Sequence, residues 1–299
     1  MRLRVIDLDG STVGQAPVAA RLAAGQADLT DCRDVGAELR LWAWTGALRR
    51  FAGSLPRWQA GELVLLGSGD FHHLTAALLE RVETPLTLVH VDNHPDWAWT
   101  FPERHCGSWI NAALGLPDVR RVITIGCCSD DLAHPDRAGV NLAALRSGRL
   151  AMHPWHRPAT RLRGPADPVP GHVVAEGELV WTNLCDTSLE EAAAGVLAGI
   201  PTRDVWISID KDVLAPAEAA TNWDQGAMPL DWLTGLVEAV AASHRILGVD
   251  LCGDFSPAAH RHPMKWFEAR MDQPHGAPPD LSVNARTNGR LLDLLETLL

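Results

Sequence analysis

Apolar and polar positions along this chain fall into two alternating textures. Short, nearly uninterrupted apolar runs occur at Leu3–Ile6, Leu63–Leu66, Leu86–Val91, Val122–Ile125, Leu179–Thr182, Val205–Ile209 and Ile246–Leu251. Runs of this length read as buried strands. Between them lie Ala- and Leu-rich stretches that predict helices over Pro17–Ala24, Ala37–Ala52, Leu74–Arg81, Ser108–Leu114, Leu189–Leu197 and Leu230–Ser243. Strands alternating with helices imply an α/β fold, with a mostly parallel sheet covered on both faces. Pro154–Gly171 is rich in Pro, Arg and Gly and reads as an irregular excursion. The strand rhythm resumes after it, so residues 1–299 are expected to form a single domain. Ser256 to Arg286 carries many Pro and His residues and reads as loop, before a final helix near Leu291–Leu299.

Composition narrows the function classes. The chain has 299 residues, 46% of them hydrophobic and 21% charged, which is ordinary for a soluble globular protein. The formal net charge of -11 argues against a nucleic-acid partner, which calls for a basic face. No apolar stretch approaches the ~18–20 residues of a membrane span. Met1–Asp7 lacks a signal peptide's apolar core and reads as a first strand. The cysteines at 32, 106, 127, 128, 185 and 252 form no Cys-x-x-Cys pair, which points to reduced thiols and a cytoplasmic location.

The chemistry gathers behind two of the strands. Leu86–Val91 leads into Asp92-Asn93-His94-Pro95-Asp96, with metal-ligand types at i, i+2 and i+4. Val205–Ile209 leads into Asp210-Lys211-Asp212. Both sets emerge at carboxyl ends of strands, where open α/β sheets place their sites. Together they suggest a shared metal site holding two ions. Carboxylates with an imidazole suit a hard or borderline cation such as Mn²⁺, whereas zinc sites usually recruit more nitrogen or sulfur. A third segment, Gly67-Ser68-Gly69-Asp70-Phe71-His72-His73-Leu74-Thr75, follows the strand Leu63–Leu66 and opens a helix. One His there can be a ligand and its neighbour an orienting group. The plain alternative is a glycine turn capped by Asp70.

The order of a Gly-rich turn with His, then Asp-x-His-x-Asp, then Ser-x-Asp-x-Asp resembles the ureohydrolase (arginase/agmatinase) family, from the first strand to about Pro257. The resemblance implies an arginase-like three-layer α/β/α sandwich with a binuclear manganese cluster, hydrolysing guanidino groups to urea and an amine. Carried over by motif, His72, Asp92, Asp96 and Asp210 would hold one ion, and His94, Asp92, Asp210 and Asp212 the other. Asp92 and Asp210 would bridge the pair, as would the attacking hydroxide. Asp212 or Asp96 would relay its proton. His105 matches the region of a mobile proton-shuttling His. In Gly248–Pro257, Asp254 stands where the family has a guanidinium-holding Glu, three residues before a Pro.

Departures from the family pattern are informative. Phe71 separates Asp70 from the histidines and leaves His72 and His73 as alternatives; the downstream register Leu74-Thr75 favours His72. Ala215-Pro216 stands where the family has Asp-Pro. The loop that recognises a free amino acid has no match; Ala220–Gly226 stands there, with Trp223 and Asp224 as candidate substrate contacts. His94-Pro95-Asp96 with Gly107-Ser108-Trp109-Ile110 looks closer to a branch that includes peptide arginases, which convert arginine residues of precursor peptides to ornithine. Trp97, Trp99, Trp109 and Trp223 are candidates to line an open site. Free arginine or agmatine, a formimino-type amidine, and a non-catalytic binding scaffold are the competing readings. A homo-oligomer would follow the family's habit.

Overall fold

A computed structural model describes residues 2–102, 104–133, 141–161, 172–257, 260–274 and 279–299. Its centre is an eight-stranded sheet built from β1 (Arg2–Asp7), β2 (Ala27–Asp31), β3 (Glu62–Leu65), β4 (Leu86–Val91), β5 (Val119–Ile125), β6 (Leu150–His153), β10 (Asp204–Asp210) and β11 (Arg245–Cys252). The spatial order is β2-β1-β3-β11-β10-β4-β5-β6, and every neighbouring pair is parallel. All residues of β3, β4 and β10 are buried. Continuous apolar runs are what a parallel sheet with both faces covered requires.

Two hydrophobic cores lie on the two faces. One packs the sheet against α2 (Arg33–Leu39), α3 (Thr45–Ser54), α4 (Leu74–Leu79), α5 (Trp109–Leu114) and α6 (Leu142–Arg146). The other packs it against α1 (Ala16–Ala23), α7 (Leu189–Ala198), α8 (Leu230–Ser243) and the closing α10 (Ser282–Leu298). The expected three-layer α/β/α sandwich is therefore the observed architecture. Helix α7 shows its start in sequence: Ser188 and Glu191 form a reciprocal capping box.

Four local expectations need correction. The run Leu179–Thr182 is not in the main sheet. Its strand, β9 (Glu178–Val180), pairs antiparallel with β7 (Thr160–Arg161) and β8 (Val173–Ala175) in a small side sheet. Only Leu179 of β9 is buried, so the segment has one inward face rather than two. Of the excursion over 154–171, residues 162–171 lie outside the described residues.

The helix expected over Ala37–Ala52 is two helices. Between them Leu41 takes a left-handed conformation, donates its N–H to the Asp70 carbonyl and accepts from the Cys106 N–H. Tertiary hydrogen bonds there replace the helical ones. Strands β2 and β6, absent from the apolar pattern, form the two edges of the sheet. Finally, the tail is not loop up to Arg286. It carries α9 (Pro263–Asp272), started by a His262 cap with Pro at the first turn, and α10 begins already at Ser282.

Candidate metal centre

Strands β3, β11, β10 and β4 are consecutive in the sheet; the segments that follow β3, β10 and β4 line one cavity, and β11 ends beneath it with Cys252 against Asp210. Their parallel direction is what brings three sequence-distant segments together. The floor and walls include His72, Asp92, His94, Asp96, Asp210 and Asp212 in a cavity of about 1110 Å³. His105, Trp97, Trp223 and Asp224 line it as well. Trp109 is fully buried behind the site, and Trp99 is exposed and outside the lining.

His72 enters from the turn after β3. Its Nδ1 lies 2.9 Å from Asp92 Oδ2 and 3.6 Å from both Asp96 Oδ2 and Asp210 Oδ2. Despite this proximity, Nδ1 is buried without a well-formed hydrogen bond. The other ring nitrogen, Nε2, sits 2.8 Å from Ser208 Oγ, and Ser208 donates to Asp250 Oδ1 at 2.8 Å. Thr75 and Trp206 also donate to Asp250, at 2.7 and 2.5 Å. With the Ser208 proton committed to Asp250, Nε2–H of His72 donates to Ser208, which leaves Nδ1 facing the carboxylates as the atom that a proton or a metal cation takes. Such an outer partner sets the tautomer of a ligating His. His73 lies outside this cluster, buried.

Asp92 stands at the crossing of two compact groups. Donor atoms of His72, His90, Asp92 and Asp96 lie within 4.8 Å of one another, and those of Asp92, His94 and Asp212 form a second such set. His94 Nδ1 is 2.9 Å from Asp212 Oδ2, and its Nε2 is 2.9 Å from Asp224 Oδ1. The Asn93 N–H donates to Asp212 Oδ1 at 3.0 Å. Asp96 adopts a positive φ of 46°, and Trp109 Nε1, at the start of α5, donates to its carboxylate at 2.7 Å. Asp210 accepts from the Asp212 N–H and from Cys252 Sγ. A side chain at Gly69 or Gly253 would collide with the Asp210 carboxylate, so glycine there permits the close packing.

The electrostatics describe a charge imbalance. Burial pushes the Asp96 and Asp212 carboxyls well above the usual range, and neighbouring carboxylates add to it. Burial also pushes Asp92 upward, but the neighbouring imidazoles of His72, His90 and His94 outweigh it and hold that carboxyl well below. Burial disfavours charge on His72, yet Asp92, Asp210 and Asp96 bring its pKa up to about 9. Four buried carboxylates cannot all ionise without compensating positive charge. The nearest buried amine, Lys211, is committed to Asp254. The unbonded His72 Nδ1 and this oxygen-rich donor set fit a pair of hard or borderline cations.

Two expectations about the substrate side are overturned or extended. Asp254 is not in the cavity. Its carboxylate is buried in an ion pair with Lys211 and accepts from Thr12 Oγ1 at 3.0 Å. The β11 loop carries it behind the floor, and the buried lysine takes the charge that a guanidinium would need. Glu268 of α9 was missed, because its segment reads as loop. It lines the cavity, bonds to His105 Nε2, and accepts from Trp42 Nε1 at 2.9 Å. His105 Nδ1 accepts the Gly107 N–H at 2.9 Å, so its proton sits on Nε2. His262 before Pro263 was the available signal for that helix. His90 was also missed: an imidazole inside a fully buried strand, two residues before Asp92 and hence on the same face, is itself conspicuous.

No family model matches the chain. A relative from Thermotoga maritima, described only as an uncharacterized protein, is 25% identical over 195 residues covering 65% of this chain. The chain spans 59% of that relative's length. Among solved structures, arginase from Bacillus subtilis superposes with a TM-score of 0.59 at 13% identity, covering 99% of this chain and 97% of that one. Proclavaminate amidino hydrolase from Streptomyces clavuligerus gives 0.57 at 17%, with 99% and 91% covered. Agmatine ureohydrolase of Thermoplasma volcanium gives 0.56 at 14%, with 99% and 88% covered. At such identities the likeness is one of fold: the chain has an arginase-like α/β fold, with a buried His and Asp cluster at its strand ends.

Proposed function

We propose that this protein hydrolyses a guanidino group to urea and an amine, using a pair of Mn²⁺ ions, and that its substrate is an arginine residue within a peptide, converted to ornithine. The observation that carries the reading is the convergence of two imidazoles, His72 and His94, and four carboxylates, Asp92, Asp96, Asp210 and Asp212, on the floor of one cavity. His72, Asp92, Asp96 and Asp210 would hold one ion, and His94, Asp92, Asp210 and Asp212 the other. When bound, such a pair lowers the pKa of water and makes a nucleophile available at neutral pH.

The chain's own groups do the rest. Asp130, Asp131, Asp224, Glu268 and Asp272 line the cavity and favour a cationic side chain. Asp224, fixed by Asn93 and His94, offers a carboxylate beside Trp223 for guanidinium contact. Water adds to the guanidinium carbon, and the bond from that carbon to the side-chain nitrogen breaks. Asp212 or Asp96 takes the water's proton at a carboxylate oxygen. His105 Nε2, held by Glu268, supplies a proton to the departing amine.

The peptide preference is supported by cavity size and mouth chemistry. A volume of about 1110 Å³ lies just above the range of about 300–1,000 Å³ typical of small-molecule sites. Phe101, Met264, Phe267 and Met271 line it and are largely exposed, which suits apolar residues flanking an arginine. All six cysteines are free thiols, which supports a cytoplasmic location; a homo-oligomer is proposed from the fold alone. Among the described residues, no helix is long and apolar enough to cross a membrane.

The test is to assay urea from Mn²⁺-loaded protein given arginine, agmatine or an arginine-containing peptide. Urea from the peptide is expected. Turnover of free arginine with an inert peptide overturns the peptide preference, and no urea from any guanidino compound overturns the class.

A further inference from the structure

We infer that Asp70 is a positioning residue for the cavity: from behind it, one carboxylate oxygen holds both the Trp223 indole and the end of α9, and so fixes two walls of the site against each other. The inference rests on the proposed function only for its kinetic consequence, which is a role in capturing the substrate.

The geometry starts in the 3-10 turn Gly69–Phe71 after β3. His72, which follows that turn, lines the cavity, whereas Asp70 is fully buried and outside the lining. Asp70 Oδ1 accepts from Trp223 Nε1 at 2.9 Å and from Gln273 Nε2 at 2.6 Å. Trp223 belongs to the loop between β10 and α8, and Gln273 stands at the C-terminal cap of α9. Three segments distant in sequence therefore meet at one oxygen atom.

Asp70 is built as a fixed post. Its Oδ2 accepts from Arg40 Nη1 at 2.6 Å. Arg40 is itself buried, paired with Asp9 at 2.9 Å and donating to Ser256 Oγ at 2.7 Å. The Asp70 carbonyl accepts the Leu41 N–H at 2.9 Å, and the Asp70 N–H donates to Ser68 Oγ at 3.2 Å. A carboxylate held at every polar atom has little freedom to follow the groups that bond to it, so it places them.

The two groups held by the post stand in different walls. Trp223 lines the cavity beside Asp224, with its ring centroid 6.0 Å from that of His94. Helix α9 contributes Phe267, Glu268, Met271 and Asp272 to the lining, and Asp272 directly precedes Gln273. Neither the indole nor the helix end shifts without straining a bond to the shared oxygen. Small misplacements of a wall matter, because substrate positioning is sensitive on the scale of about 1 Å. The alternative is that Asp70 serves only to neutralise Arg40. Gln273→Met separates the two roles: it leaves the Arg40 pair and every cavity-lining residue in place, and removes the donor from the end of α9.

The experiment labels the full chain with 5-fluorotryptophan and follows the Trp223 resonance by fluorine NMR, assigned through Trp223→Phe. In Q273M that resonance is expected to shift, although Gln273 does not itself line the cavity. The KM for an arginine-containing peptide is expected to rise about fivefold, the order of one lost hydrogen bond, with kcat within about twofold and metal content unchanged. An unmoved Trp223 resonance overturns the inference, and that arm needs no substrate. A moved resonance with an unchanged KM overturns the role in capture. A loss of metal, or of kcat alone, overturns it too, since the post would then serve the metal cluster rather than the walls. Gln273→Ala repeats each arm if Q273M does not fold. Absence of urea from the unaltered protein removes the hydrolase reading, and the resonance then decides by itself whether Asp70 links the two walls.

Discussion

Asp254 shows how one residue's partner decides its role. Its carboxylate and the Lys211 amine are both almost fully buried, and each satisfies the other. Removing one charge from such a pair strands the other away from water, at a cost of about 3–5 kcal/mol. Asp254→Asn is therefore expected to lower the unfolding free energy by that order in denaturant titration. The KM for the proposed peptide substrate should stay within about twofold in the folded fraction, since the residue lies outside the cavity. A stable variant with a strongly raised KM would restore Asp254 to the substrate side. The spacing of Asp254 from Pro257 is a sequence fact, but Lys211 comes from a different strand, and nothing local to either residue announces their meeting. His72 was more legible. Its position relative to the helix α4 set the register, and the structure turns that ring, not His73, toward Asp92.

At the scale of elements, helix α9 brings Glu268 over the cavity, where it holds His105. Glu268→Gln weakens that hold without touching the metal cluster. Urea release is expected to fall about 10²-fold, the order of a lost general-acid contribution, with the metal content unchanged by elemental analysis. Full activity in this variant would remove the proton-transfer role of the pair.

The edge strand β6 makes a second prediction. Burial, aided by His172 and Arg121, lowers the pKa of His153 to about 4. In the unfolded chain it titrates near about 6.5. The unfolded state therefore binds more protons between those values, so stability from this group is complete above about 6.5 and is lost as pH falls through about 4. The loss is on the order of 3 kcal/mol. His153→Gln should flatten that part of the stability curve relative to the unaltered protein, as measured by denaturation from pH 7 to 4. An identical pH dependence in the two proteins would show that His153 is not the group.

For the whole molecule, a net charge of -11 and an acidic cavity create a field that attracts cations. Screening shortens its reach to about 3 Å at 1 M salt. The kcat/KM for a cationic peptide is expected to fall severalfold between about 0.01 and 1 M NaCl. A flat salt profile would show that the contacts at the cavity wall, not long-range attraction, govern capture.

The sequence by itself determined the alternation of buried strands and helices, because periodicity is a local property read from neighbours a few residues apart. It also determined which residue types stand at the ends of β4 and β10. Strand direction then places those types at one end of a parallel sheet. The tertiary structure alone decided which of them meet. The order β3-β11-β10-β4 set the neighbours of Asp92, added His90 from within a strand, and paired Asp254 with Lys211. Docking of α9 placed Glu268 on His105. The reason is physical: local pattern sets the face a side chain takes, while packing of distant elements sets what that face encounters.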